Sequence, residues 1–154
     1  MTVITLAPEP SSPAAARHFV REFLADAGCG GSVVFPAVLA TSELVTNAVL
    51  HAGTAVDLRI EIAGPKLRVE VVDYGGGCPV HERVSFDADH GHGLMVVSRV
   101  ATRWGVDLES DRKSVWFELP CPCPPTNGNR RGRSGVFPLR LGSVIRHLRR
   151  PWTA

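Results

Sequence analysis

The chain has 154 residues, 44% of them hydrophobic and 21% charged, which suits one folded domain with a proper core. Its formal charge of +2 conceals an asymmetry: residues 1–119 hold ten Lys and Arg against fifteen acids, a net of −5, whereas residues 120–154 hold seven Arg and no acid. An acidic domain argues against nucleic-acid binding through its folded face, and the sequence suggests neither a run of about 18 apolar residues to span a bilayer nor a signal peptide.

The segment "TVITLAP" alternates briefly and predicts a short first strand. "SSPAAARHFVREFLADAG" supplies a Ser cap, a Pro in the first turn and apolar residues at helical spacing, and it stops at Gly28. A second helix is predicted from about Val33 to Ala52, with Pro36 in its first turn and Gly53 as its stop. "AVDLRIEIAG" and "KLRVEVVDYG" both alternate, and Gly64-Pro65 divides them as a hairpin turn would. "GGGCPVHERVSFDADH" has no period and reads as a loop. "GHGLMVVSRVA" is a short apolar helix entered through two glycines, and "TRWGVDLES" and "KSVWFELP" form a second hairpin around "SDR". The order β-α-α-β-β-loop-α-β-β implies an α/β sandwich: a mixed, largely antiparallel sheet with helices packed on one face. From Pro120 onward the chain is rich in Pro, Gly and Arg and reads as a disordered basic tail, so the division is a domain at 1–119 and a tail at 120–154.

Within the second helix, "TSELVTNAVLHAG" places Glu43, Asn47 and His51 four residues apart, on a stripe about 80° wide. Leu44, Val45, Ala48, Val38, Val49 and Ala52 fill the arc on one side, and Leu39 and Leu50 bound it on the other. Ser42 and Thr46 are then left as the water-facing edge, and the polar stripe points inward. An unpartnered carboxylate buried there costs several kcal/mol, so a bound cation or ligand is expected to compensate Glu43.

Two further segments share this character. In "VVDYGGGCP" an apolar strand ends in Asp73, whose partly shielded carboxylate can accept a hydrogen bond from an exocyclic amine. Gly75 and Gly77 beyond it permit close backbone approach and positive φ. In "GHGL", residues 91–94, Gly91 and Gly93 leave backbone N–H groups at a helix start, where the dipole favours phosphate oxygens. Asn47 offers a neutral oxygen suited to Mg²⁺, which keeps waters and also takes substrate phosphates. Glu43, one turn earlier, is placed to take a proton from a nucleophile. Each signal is common in isolation; their combination on helix, strand end and helix start gives them weight.

In these segments the chain resembles the histidine-kinase-like ATPase superfamily with the Bergerat fold, and within it the small anti-sigma-factor serine/threonine kinases of the RsbW type. "SELVTNAVLHA" resembles that family's N box, "VVDYGGG" and "GHGLMVV" its two glycine boxes, and "RWGV…KSVWFELP" its closing hairpin, over about residues 10–120. The resemblance implies ATP bound with Asp73 on the adenine amine, Asn47 on Mg²⁺, Glu43 as catalytic base, and a short lid at about 78–90. It assigns Gly75, Gly77, Gly91, His92, Gly93 and Leu94 to the nucleotide, and Ser114 to a hydroxyl near an adenine-bound water. His92 stands where Arg is common, so a fixed charge near the phosphates becomes a titratable one. No G-x-x-x-x-G-K-[ST] loop occurs.

The implied activity is transfer of the ATP γ-phosphate to a Ser or Thr of a small antagonist protein in the cytoplasm. Sigma-factor binding and a homodimer are implied with it. The alternative is a non-catalytic, ATP-gated binding module; a third is nucleic-acid binding through the Arg-rich tail alone. The four cysteines match no paired C-x-x-C zinc arrangement and read as reduced thiols.

Overall fold

In a computed structural model the described residues are 1–75 and 92–122. They form β1 (Thr2–Leu6), α1 (Ser12–Asp26), α2 (Gly31–Ala52), β2 (Val56–Ala63), β3 (Lys66–Asp73), α3 (His92–Val100), β4 (Arg103–Leu108) and β5 (Lys113–Pro120). The five strands make one antiparallel sheet in the order β1-β2-β3-β5-β4. The predicted element order and the α/β sandwich are both present.

Alternation along each strand sends one set of side chains to the helices. Ile4 and Leu6, Val56, Leu58 and Ile60, Leu67, Val69 and Val71, and Phe117 and Leu119 join the buried core with Phe19, Val20 and Leu24 of α1 and Ala37, Ala40 and Leu44 of α2. The small Ala37 and Ala40 let the α2 backbone lie close to the sheet. Val97 of α3 completes this core.

The other sheet face carries charge. There Arg59 pairs with Glu70 at 3.3 Å, Arg68 pairs with Glu118 at 3.4 Å, and the Arg68 guanidinium stacks 4.1 Å from the Trp116 ring centroid. Trp116 Nε1 donates to Asp107 at 3.0 Å, and its ring lies over Gly105, where a Cβ would come within 2.6 Å of it. Trp104, one residue from Gly105, turns the opposite way and packs on the core.

Local chemistry sets the boundaries. α2 ends on Gly53 at φ 61°, the left-handed conformation that favours glycine, and Gly64 at φ 58° opens the two-residue turn between β2 and β3. α2 begins at Gly31, two residues earlier than the sequence predicts, so Pro36 lies in its second turn rather than its first. The intrahelical bond that Pro36 cannot make is the one to Ser32, whose exposure leaves its carbonyl to water.

Two expectations about α2 are corrected. By length and apolarity, Gly31–Leu50 does qualify as long enough to cross a bilayer, although no such stretch was expected. It is instead the central helix of the fold, packed against α1, α3 and the sheet. Its outer edge is not confined to Ser42 and Thr46, which are both half-buried: Arg17 of α1 donates to Ser42 Oγ at 2.9 Å, and Thr46 Oγ1 donates to the Ser42 carbonyl at 2.7 Å. The exposed edge carries Phe35 and Leu50, 73% and 72% exposed. Helical periodicity fixed the angles between residues but not where α1 would dock.

Phe117 is fully buried at the centre of the covered face. Phe117→Ala is expected to destabilise the fold by about 3–5 kcal/mol, read as a lower urea midpoint; a change below about 1 kcal/mol would place the core elsewhere.

Candidate functional site

The site grows from α2. Because α2 buries Ala37, Ala40 and Leu44 on the sheet, Glu43 and Asn47 fall on its flank, both half-buried and one helical turn apart. Among the described residues neither side chain has a hydrogen-bond or ion-pair partner. The inward stripe is therefore half right: the groups are partly shielded, but Glu43 retains contact with solvent and does not demand a compensating cation.

α3 closes on this flank. A methyl group built on Gly93 would lie 2.5 Å from Asn47 Nδ2 and 3.3 Å from both Cγ and Oδ1. A side chain there would require the Asn47 amide to move, so Gly93 lets the start of α3 rest on that amide where it stands. This contact joins two segments that lie far apart in sequence. Leu94, the next residue, is partly buried against the core and anchors α3 behind them.

β3 brings the third segment. Asp73 ends this strand on the covered face, in alternation with the core residues Val69 and Val71, and faces the fully buried Val56 of β2. Asp73 Oδ1 accepts the Gly75 backbone N–H at 2.6 Å, turning the chain as it leaves the sheet. Its Oδ2 has no hydrogen-bond partner among the described residues. Tyr74, between them, points the other way and donates to Asp57 Oδ2 at 2.9 Å. Burial, reinforced by the Asp57 carboxylate, pushes the Tyr74 hydroxyl above its ordinary range, so it stays a donor at neutral pH.

Ser114 is not part of this arrangement. β5 pairs Ser114 with Val72 of β3, and β4 pairs Asp107 with Ser114, all on the uncovered face. Ser114, 8% exposed, lines a depression of about 470 Å³ there together with Arg59, Glu70 and Arg112. The residue beside Asp73 on the covered face is Lys113. The sequence held the signal: counting back in twos from the core residue Phe117 gives Val115 and Lys113, and a slip of one reverses the face. Gly77, Gly91, the His51 and His92 side chains, the expected lid at 78–90 and the tail from 123 onward lie outside the described residues.

With Asn47, Asp73 and Gly93 on one side of the sheet, the comparison with known proteins is decisive. The family model described as a histidine kinase-like ATPase domain matches residues 6–119. The chain belongs to the histidine kinase-like ATPase family. The domain is thus an ATP-binding one, and its open antiparallel sheet with helices on one face is the family's fold. A solved structure of similar fold is "The crystal structure of the RsbU and RsbW domains of Rv1364c from Mycobacterium tuberculosis", with 19% identity and a TM-score of 0.59. The similarity covers 79% of this chain but only 33% of that longer one. No curated protein matches.

In this histidine kinase-like ATPase domain, Gly93→Ala is expected to push the Asn47 amide aside and weaken ATP binding by roughly tenfold, about 1.4 kcal/mol. In an Asn47→Ala background the added methyl has room, and Gly93→Ala should cost little more. Equal losses in both backgrounds, by calorimetry, would mean that the two residues act separately.

Proposed function

We propose that the chain is an ATP-dependent protein serine/threonine kinase of the anti-sigma-factor type. It would phosphorylate a small antagonist protein and regulate transcription through a sigma factor. The observation that carries this reading is the Asn47–Gly93 contact with Glu43 one turn away on the same flank. An amide, a helix start and a carboxylate thus share one flank of α2. Support for the anti-sigma role comes from the motif order and from the fold shared with the structure of the RsbU and RsbW domains of Rv1364c.

The residues suit Mg²⁺. Among the described residues no three His, Cys, Asp or Glu converge as a ligand set, whereas the Asn47 amide is unpartnered and held against backbone. That suits an ion taking one protein oxygen and filling its shell with water and phosphate. When bound, Mg²⁺ would neutralise charge on the phosphates. Asp73 would accept from the adenine amine through Oδ2, and the backbone at the start of α3 would face the phosphates.

In the transfer step the hydroxyl oxygen of the substrate Ser or Thr bonds to the γ-phosphorus as the bond to the ADP oxygen breaks. The Glu43 carboxylate takes the hydroxyl proton, and its retained access to solvent fits a group that must return that proton. Residues 1–119 would form the kinase domain and 120–154 a separate basic extension. A cytoplasmic homodimer completes the proposal.

Radiolabelled ATP with antagonist proteins from the same genomic neighbourhood tests the reading. Transfer to Ser or Thr is expected, and Glu43→Ala should cut it at least about 100-fold while ATP affinity changes little. ATP binding without transfer to any of them would favour the non-catalytic, ATP-gated module. Asn47→Ala should remove the Mg²⁺-dependent part of ATP affinity; an unchanged Mg²⁺ dependence would take Asn47 out of the metal site.

A further inference from the structure

Past Asp73 the chain has left the sheet, so strand pairing no longer fixes its direction. Asp73 is the last residue of β3 held in register, facing Val56 on one side and Lys113 on the other. Side-chain hydrogen bonds take over there. Asp73 Oδ1 accepts the Gly75 N–H at 2.6 Å on the covered face, and the Tyr74 hydroxyl donates to Asp57 Oδ2 at 2.9 Å on the uncovered face. Tyr74 reaches Asp57 diagonally, since the residue of β3 paired with Asp57 is Val72. The Asp57 carboxylate is itself held: Thr5, opposite it on β1, donates to Oδ1 at 2.7 Å. The Tyr74 hydroxyl also accepts from Arg59 Nη2 at 3.4 Å, and Arg59 is paired in turn with Glu70. Tyr74 is 40% exposed, and a polar contact so open to water adds little to stability. Its weight comes from where it stands, between Asp73 and Gly75.

We propose that Tyr74 is a positioning residue for base recognition: its hydroxyl, anchored on Asp57, holds the Asp73–Gly75 turn so that Asp73 Oδ2 is aimed at an exocyclic amine. This rests on the reading of Asp73 as the acceptor of the adenine amine. Anchoring the ring fixes the Tyr74 backbone, and that backbone places the Gly75 N–H. The N–H engages Oδ1 and so sets the rotation of the Asp73 carboxylate. With Oδ1 occupied, Oδ2 is the oxygen left for a ligand. Without the anchor, Asp73 keeps its place at the end of β3, but its carboxylate turns more freely. The loss then falls on the one contact that needs a fixed direction, and not on those to ribose or phosphate.

ATP and purine riboside triphosphate, which has the same ring system without the exocyclic amine, differ at that contact and test the proposal. Calorimetry with the full chain and Mg²⁺ should show the wild type preferring ATP by roughly tenfold or more. Tyr74→Phe keeps the ring and removes only the hydroxyl. It should weaken ATP binding at least about threefold and leave purine riboside triphosphate unchanged. Asp57→Ala should give the same selective loss, and adding it to Tyr74→Phe should cost ATP little more. Equal losses for both nucleotides in Tyr74→Phe, or no loss for either, would overturn the proposal while leaving Asp73 as the base reader. A wild type with no preference for ATP would remove Asp73 from base recognition, and Tyr74 with it.

Discussion

The burial of α2 on one face of the sheet is the constraint from which the rest follows. Its small and branched apolar residues, Ala37, Ala40 and Leu44, share one buried core with Val69, Val71 and Phe117 of the sheet. Once that arc is fixed, the 100° step of the helix leaves no choice about Glu43 and Asn47. They stand on the flank, where α3 arrives. A helix in the core is thereby also the element that carries the proposed site, and its packing energy holds those side chains in place.

The second constraint is the period of two in the strands. It sends Asp73 to the same side of the sheet as α2 and sends Arg59, Glu70, Arg68 and Trp116 to the other. The uncovered face is a lattice of paired charges with an aromatic ring beneath one arginine, partly exposed and worth little per pair. The covered face keeps its polar groups at the rim, where Asp73 ends β3 and Gly93 admits the start of α3. The same alternation separates Lys113 from Ser114 by one residue in sequence and by the full thickness of the sheet.

Most of this fold was legible in the sequence because its signals are local. The alternation in "AVDLRIEIAG" and "KLRVEVVDYG", the Gly64-Pro65 turn and the Gly53 stop each specify an element without reference to the others. The segments proposed to hold the nucleotide stood out for a similar reason, since each is a short run near an element boundary. Three features depend on where elements dock, and local pattern does not encode that. The α1 contact half-buried Ser42 and left Leu50 exposed. The β3–β5 register placed Lys113 beside Asp73. The approach of the β5 end to the α1–α2 turn set the Cys121 sulfur at a non-bonded 3.1 Å from that of Cys29, which is disulfide-bonded and not the reduced thiol expected. The second of these was within reach of residue counting; the first and third needed coordinates.

The central claim is that Asn47, Asp73 and Gly93 line one cleft for magnesium-bound ATP. Calorimetric titration of the full chain with ATP, with and without Mg²⁺, tests it most directly. The account predicts saturable one-site binding that strengthens when Mg²⁺ is added. A heat signal indistinguishable from dilution at millimolar ATP, with and without the metal, would contradict it.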